Sequence, residues 1–121
     1  GAIRDLIVVH PHDTVLTAFR LMDAQDVSQL PVFEEGVPIG VIREDAVMRL
    51  ALQGHDLSQF VVREVMEPPL PILRPDTFVD ELTEHIQRET AVLVLTEDGR
   101  YEVLTKYDLV HSLAQILNPQ S

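Results

Sequence analysis

The feature that most constrains this chain is an internal repeat. Residues with the same role recur 63 positions apart (for example 76 − 13 = 63): Asp13 and Asp76, Thr14 and Thr77, Leu30 and Leu93, Glu34 and Glu97, Gly36 and Gly99, Asp45 and Asp108, Leu50 and Leu113. Each half has the pattern strand–helix–strand–strand–helix. We expect strands at 7–9, 30–33 and 37–42 in the first half and at 71–73, 91–95 and 101–104 in the second, where a helix starts at Phe78. A unit of about 50–60 residues buries too little surface to be stable alone. We therefore predict an α+β fold of two β-α-β-β-α units that pack sheet to sheet as a pseudo-two-fold pair.

The boundaries of the two repeats follow from changes in composition. Residues 1–54 are assigned to the first repeat, 55–66 to a connector and 67–121 to the second repeat. The connector begins with a polar stretch, and Pro68 and Pro69 end the short helical turn that closes it. A pair packed in this way leaves two related clefts between the repeats.

Composition excludes several classes of partner. The 121 residues hold 9 Lys and Arg against 20 Asp and Glu, which gives a net charge of −11. An acidic surface repels phosphate backbones and anionic lipid, so neither nucleic-acid binding nor membrane insertion is expected.

Cysteine is absent, which fits a reducing, cytoplasmic location. No apolar run approaches the roughly 20 residues that span a bilayer, and no signal peptide is visible.

The joint between the last strand and the last helix is the most promising site for a ligand. A strand ends at Leu104, and a helix from about Lys106 to Leu117 follows. Helix N-termini present backbone N–H groups and partial positive charge, which suit an anion. The Thr105 hydroxyl and Asp108 carboxylate suit phosphate or sugar oxygens and sugar hydroxyls. The same two residues also form a capping box, a structural way to start a helix.

These motifs resemble those of a known family. The repeated β-α-β-β-α order, the Pro-Asp-Thr that opens the first helix of the second repeat, the Leu-Pro-Val strand and the Thr-x-x-Asp joint resemble a tandem cystathionine-β-synthase (CBS) domain pair, or Bateman module. The resemblance covers residues 3 to 114. The runs 62–66 and 104–110 are most similar to the C-terminal regulatory module of cystathionine β-synthases themselves.

The resemblance implies a non-catalytic regulatory module rather than an enzyme. Family members bind AMP, ADP, ATP or S-adenosylmethionine between the two repeats and change the activity of an attached or separate catalytic domain. In the family motif Asp holds the ribose hydroxyls and Thr contacts ribose or phosphate. Carried over, the implied ligand-binding residues are Thr105, Asp108, Lys106, Leu104, Val103, Val27, Ser28, Gln29, Ile7 and Val8.

A second cleft is implied by the first repeat, with two departures from the family motif. Its residues would be Arg43, Asp45, Thr90 and Ala91. Gly40 and Asp45 lie one residue closer together than the family pattern requires, and the Thr position holds Ile42 or Arg43, depending on register. In the second repeat the motif glycine is replaced by Glu102. We expect the cleft with Thr105 and Asp108 to be the working one.

Other chemistries are poorly supported by the sequence. The five histidines, His10, His12, His55, His85 and His111, lack the i, i+4 helical spacing of a zinc enzyme, so no metal site is expected. No nucleophile elbow, P-loop or dinucleotide fingerprint is present. A small metal-dependent enzyme is the weakest of the hypotheses.

Two functions therefore compete. The first is an adenosyl-ligand sensor that regulates an enzyme such as a cystathionine β-synthase, or a different enzyme or transporter. The second is a ligand-free dimerisation or autoinhibitory module, in which Thr105 and Asp108 are only caps. In both, the apolar residues Met48, Leu52, Ile116 and Leu117 indicate a homodimer surface.

Overall fold

The computed structural model describes residues 6–74 and 91–117, and they belong to two compact units. The N-terminal unit runs from Ile7 to Pro69, and the C-terminal unit comprises Gly1–Leu6 and Leu70–Ser121. The N-terminal unit thus includes segment 55–66. Where each repeat begins and ends stays a prediction.

The N-terminal unit contains two main helices and a two-stranded sheet. Its elements are α1 (Val15–Gln25), β1 (Gln29–Glu34), β2 (Val37–Arg43), α2 (Glu44–Leu52), a 3₁₀ turn (Leu57–Gln59) and α3 (Val62–Val65). The side chain of Thr14 accepts a hydrogen bond from the Thr17 amide and so caps α1. The spacing of its buried residues, Val15, Ala18 and Met22, turns one face of α1 to the core.

The main core of this unit is an apolar cluster. It combines α1, the two strands, α2 and the start of α3, in the buried residues Val9, Val15, Ala18, Met22, Leu30, Val32, Ile42, Val47 and Val62. No charged or polar side chain in the described part of the chain is fully buried. The burial of this apolar surface supplies most of the stabilisation of the unit.

Strands β1 and β2 form an antiparallel hairpin with a bulge. Glu35 and Gly36 both have positive φ (52° and 77°), as a two-residue hairpin turn that follows the strand twist requires. Val32 pairs with Gly40 and Phe33 pairs with Pro38, which leaves Ile39 as an extra residue of β2. Pro38 has no amide hydrogen for a ladder, so its position beside the bulge costs the sheet little.

The predicted first strand at residues 7–9 is reduced to one parallel bridge, between Val9 and Val32. The Val9 amide bonds to Pro31 O at 3.1 Å, and the Phe33 amide bonds to Val9 O at 2.9 Å. Extension of the ladder back to Ile7 would require an amide hydrogen on residue 31. Proline has none, and the ladder therefore stops.

The segment after α2 folds back on the same unit. The Val15 amide bonds to Phe60 O (2.9 Å), and the Val62 amide bonds to Asp13 O (2.8 Å). Further along, Glu67 makes an isolated antiparallel bridge to Val41 of β2. Residues 55–67, which we call the connector from here on, are thus fastened to the N-terminal unit.

The C-terminal unit has the same kind of hairpin followed by a helix. Its described elements are β3 (Ile72–Leu73), β4 (Ala91–Leu95), β5 (Tyr101–Thr105) and α4 (Lys106–Leu117). The strand order is β3-β4-β5, parallel and then antiparallel. Leu73 and Val92 form a small buried cluster against which Val94 and Leu104 pack.

Most sequence-predicted elements in the described ranges are confirmed. The last helix has the predicted bounds, and the strands at 30–33, 37–42, 91–95 and 101–104 are found within one residue. The predicted Asp76–Thr77 cap, the helix from Phe78 and the ligand position Thr90 lie outside the described residues, as does the side chain of Ile116. In the parts that the structure describes, no helix combines the length and apolar character that a membrane crossing needs.

Candidate functional site

The joint between β5 and α4 forms the predicted capping box. Thr105 directly precedes α4, and its amide donates to Asp108 Oδ2 at 3.0 Å. The Thr105 hydroxyl donates to the same Oδ2 at 2.8 Å and accepts from the Asp108 amide at 3.1 Å. The two side chains therefore satisfy each other's backbone amides at the start of the helix.

The chemistry of this joint also suits a ligand. Asp108 and Lys106 are exposed, whereas Thr105 is half-buried. A carboxylate, an ammonium group and the N-terminal end of a twelve-residue helix thus lie within four consecutive residues. This arrangement can accept hydrogen bonds from sugar hydroxyls and attract an anion.

The strands place the remaining predicted residues of this unit beside the joint. Ala91 pairs with Thr105, and Val92 pairs with Leu104. Val103 and Leu104 are half-buried, and Leu104 packs on the small core cluster. Ala91, which the sequence assigned to the second cleft, is therefore the direct strand neighbour of Thr105 from the first.

The N-terminal unit holds the other predicted residues. Ser28 O accepts the Glu44 amide (2.9 Å), and Gln29 Oε1 accepts from Arg43 Nη1 (2.7 Å). Gln29 also pairs with Arg43 across the hairpin. The structure thus brings Ser28 and Gln29 together with Arg43, at the joint between β2 and α2.

Of the three apolar residues predicted to cover the ligand, two also pack against the core. Ile7 and Val27 are half-buried and pack against the core of the N-terminal unit. Val8 is half-buried. Their partial exposure is compatible with contact to a ligand, but core packing alone accounts for the positions of Ile7 and Val27.

The strand ends show which residues of the two joints correspond. Strand β2 ends at Arg43 and α2 begins at Glu44, whereas β5 ends at Thr105 and α4 begins at Lys106, so these boundaries differ by 62 (105 − 43 and 106 − 44). By this count Arg43, not Ile42, lies at the position of Thr105, and Ala46 lies at the position of Asp108. Asp45, which the 63-residue spacing matches with Asp108, lies one residue before that position.

The Arg43 side chain forms an ion pair and does not cap α2. The Arg43 side chain makes no capping hydrogen bond to α2. Its Nε instead lies 3.2 Å from Glu67 Oε2, in an ion pair with the connector. The Asp45 side chain accepts from the Ala46 amide at 2.8 Å. Sequence reasoning missed Glu67, which is far from the motif along the chain and has no local pattern that marks it.

Beside this joint lies a cleft of about 660 Å³ within the N-terminal unit. Its charged lining comprises Arg43, Asp45, Arg49, Glu64 and Glu67, and the rest is Ala46, Leu50, Gln53 and Val65. The predicted second-cleft residues Arg43 and Asp45 therefore share one cleft.

Within residues 6–74 and 91–117, two carboxyl groups have a perturbed pKa, and both lie in turns. Hydrogen bonds from the side chain and then the backbone of Ser58 lower the pKa of Asp56. A hydrogen bond from the Thr96 side chain, aided by the nearby Arg100 charge, lowers the pKa of Asp98. Both groups are exposed, and both shifts report local turn structure.

His10, His55 and His111 have local partners. His10 Nδ1 lies 3.1 Å from Phe33 O, the His55 ring meets Phe60 edge to face, and His111 stacks on Tyr107. No group of three or more His, Asp or Glu side chains among these residues has the geometry of a metal site. His85 lies outside the described residues.

Comparison with known proteins gives a consistent result. The family model described as CBS domain matches residues 2–53 and 62–115. The CBS-pair protein CBSX2 from Arabidopsis thaliana is 24% identical, with a TM-score of 0.78 over 92% of this chain and 87% of that one. A CBS domain protein from Streptococcus pneumoniae is 15% identical, with a TM-score of 0.77 over 94% and 82%.

A third structure contains a ligand. CBSX2 in complex with AMP is 25% identical, with a TM-score of 0.70 over 94% of this chain and 91% of that one. The predicted α+β fold of two CBS repeats is thereby confirmed.

Proposed function

Because the chain belongs to the CBS domain family as a tandem pair, we propose that it is a regulatory module that binds an adenosine nucleotide of the AMP type. CBS pairs regulate rather than catalyse, so the ligand is a signal and not a substrate. The proposal names Thr105 and Asp108 as its centre.

The observation that carries the proposal is the AMP complex of CBSX2, which is 25% identical over nearly the whole chain. It is supported by the exposed carboxylate of Asp108 and the exposed ammonium group of Lys106 beside the N-terminus of α4. Among the described residues, that joint combines a hydroxyl and a carboxylate as the family motif does.

Each group has a defined chemical task in this proposal. The Asp108 carboxylate accepts hydrogen bonds from the two ribose hydroxyls, and the Thr105 hydroxyl contacts ribose or phosphate oxygens. Lys106 and the first turn of α4 attract the phosphate. The remaining proposed contacts are with Val103 and Leu104, and with Ile7, Val8, Val27, Ser28 and Gln29.

The regulatory effect follows from linkage. A nucleotide shifts a conformational equilibrium only by the difference between its affinities for the two conformations. Effects on an attached or separate catalytic domain therefore require that this domain also distinguishes the two conformations. A cystathionine β-synthase is our candidate for it, and a different enzyme or a transporter is the alternative.

The deciding experiment is calorimetric titration of AMP into the parent chain and two matched variants. Asp108→Asn removes the charge and keeps an oxygen that can still cap α4, whereas Asp98→Asn makes the same change in an exposed turn. Loss of a charged hydrogen-bond partner weakens binding by about 1.5–3 kcal/mol, or roughly ten- to hundredfold. We expect that loss for Asp108→Asn and less than a twofold change for Asp98→Asn.

Two results would count against the proposal. AMP that produces no heat and no thermal stabilisation would contradict it, since a ligand at 100 times its Kd adds about 2.7 kcal/mol. If the parent chain and Asp108→Asn bind AMP with equal affinity, Thr105 and Asp108 have only a structural role as helix caps. The same titration with ADP, ATP and S-adenosylmethionine ranks the ligands.

A ligand-free dimerisation module is the second candidate, because apolar side chains are exposed on both long helices that follow a hairpin. Met48 and Leu52 of α2 are 44% and 83% exposed, and Val110 and Leu117 of α4 are 56% and 83% exposed. We propose a homodimer through these faces. Sedimentation of Leu52→Glu at micromolar concentration tests it: a monomer supports the dimer surface, and an unchanged mass contradicts it.

A further inference from the structure

Glu67 forms an ion pair with Arg43 at the joint between β2 and α2. Glu67 Oε2 lies 3.2 Å from Arg43 Nε, and the two side chains are 50% and 29% exposed. On the other edge of the guanidinium group, Nη1 donates to Gln29 Oε1 at 2.7 Å. A carboxylate from the connector thus occupies one side of an arginine that lines the 660 Å³ cleft.

The backbone of the same residue fastens the connector to β2. The Val41 amide donates to Glu67 O at 3.0 Å, and the Glu67 amide donates to Val41 O at 2.8 Å. Gly40 allows this close approach, because a Cβ there would lie 2.6 Å from Met66 Sδ and 2.9 Å from Glu67 O. Glu67 therefore takes part in both the ion pair with Arg43 and the backbone bridge to Val41.

The backbone bridge between the connector and β2 ends at Glu67. Upstream, Arg63 is held by Glu34 at 2.9 Å and by the hydrogen bond from its amide to Pro11 O. Downstream come Pro68 and Pro69, which have no amide hydrogen and cannot continue the bridge.

We propose that Glu67 is an internal anion, which a phosphate-bearing ligand must displace from Arg43 before it can occupy the cleft of the N-terminal unit. Displacement frees the Glu67 carboxylate and weakens the bridge to Val41, so the cleft and the connector respond together. This inference rests on the proposed nucleotide-binding function and concerns the cleft that Arg43 and Asp45 line within the N-terminal unit.

The charges and exposures make this exchange feasible. A half-exposed ion pair contributes little stability and is readily replaced. Phosphate carries more charge than carboxylate and binds the guanidinium group with two parallel hydrogen bonds. With Glu67 in place, the cleft holds Arg43 and Arg49 against Asp45, Glu64 and Glu67. Removal of the Glu67 charge leaves the remaining charges balanced, which lowers the repulsion of an anion.

The experiment follows backbone amide signals of the isotope-labelled chain by NMR. AMP, adenosine and inorganic phosphate are titrated separately into the parent chain, into Glu67→Gln and into Glu64→Gln. Glu64 lines the same cleft, but its Oε1 accepts from the Val61 amide at 3.0 Å. Glu64→Gln therefore makes the same change of charge without removing the Arg43–Glu67 pair. The Gln side chain keeps an oxygen that can accept from the Val61 amide.

We expect Glu67→Gln to raise the affinity measured at the Arg43 and Glu44 amides, for AMP and for phosphate, by about two- to fivefold. Glu64→Gln should produce less than half of that gain. In the parent chain, saturating AMP should speed hydrogen exchange at the Val41 and Glu67 amides severalfold, and adenosine, which has no phosphate, should not.

Equal affinities in the parent chain and Glu67→Gln would overturn the inference, as would equal gains in the two variants. The phosphate titration separates this inference from the proposed function. If AMP binds nowhere, the nucleotide proposal fails, and the phosphate titration still tests whether Glu67 competes at Arg43. A higher phosphate affinity in Glu67→Gln supports this competition. An unchanged affinity, or no binding of phosphate, overturns it. If AMP binds only at Asp108 and leaves the Glu67 amide unchanged, the inference fails and the nucleotide proposal stands.

Discussion

The two strand-to-helix joints have the same backbone arrangement and different chemistry. In the C-terminal unit, Thr105 and Asp108 cap α4 with groups only three residues apart. In the N-terminal unit, Arg43 takes the position of Thr105 and is paired with Glu67, 24 residues later. The first joint is stabilised locally, and the second depends on the connector. The comparison shows how a repeated fold can keep a geometry while one copy responds to a distant segment.

The strands that lead to the two joints also differ in whether they contact the connector. Gly40 in β2 and Glu102 in β5 occupy the same position relative to the strand ends, three residues before Arg43 and Thr105. Gly40 is buried beneath Met66, whereas Glu102 is half-buried. The glycine of the family motif is therefore required here by the connector, and the C-terminal unit, where Glu102 stands at that position, has no such requirement.

The largest expected effect is that of Gly40→Ala. The new methyl group would meet Met66 and the Glu67 carbonyl, and such overpacking costs about 1–3 kcal/mol. Urea denaturation should show that loss, with faster amide exchange at Glu67. Glu102→Ala, the matched change in the other strand, should lower stability by less than half as much. Similar losses in the two variants would contradict the different roles of these positions.

A smaller effect is expected from Thr105→Ala. Removal of an N-cap hydroxyl costs about 1 kcal/mol, and the Lys106–Asp108 amides should exchange faster with solvent. Arg43→Ala removes no capping hydrogen bond from α2, so its cost should be that of a half-exposed ion pair, under about 1 kcal/mol. Faster exchange at the start of α2 in Arg43→Ala, to the extent seen at α4 in Thr105→Ala, would show that Arg43 caps after all.

The smallest expected effect is that of salt. A rise from 0.05 to 1 M NaCl screens the Arg43–Glu67 pair and should reduce its contribution by a few tenths of a kcal/mol. The hydroxyl hydrogen bonds at Thr105 are much less sensitive. A double-mutant cycle on Arg43→Ala and Glu67→Ala at both salt concentrations measures the difference. A coupling energy that does not fall with salt would mean that packing, not charge, links this pair.

Much of the fold could be predicted from local patterns. The bounds of α4, the hairpin turns and the capping box all follow from residues close together in sequence. The shortening of the first strand follows from Pro31, although the strand pattern of residues 7–9 alone did not reveal it. Local chemistry is visible in sequence because helix caps and tight turns depend on a few adjacent residues.

The second joint could not be predicted in the same way. The 63-residue spacing fits the turn glycines, Gly36 and Gly99, whereas the strand ends before the two helices, Arg43 and Thr105, differ by 62. Partners such as Glu67 are fixed by how the chain folds back. A single sequence contains no signal for such a contact.

The missing amide hydrogen of Pro31 has a consequence for residues 6–8. With no ladder to fix their register, these residues can shift by small distances without the loss of a strand hydrogen bond. A neighbouring strand held by a full ladder would resist the same shift, because several hydrogen bonds would break together. Proline at position 31 thus leaves Ile7 and Val8 outside the strand ladder while Val9 stays anchored to its neighbour strand.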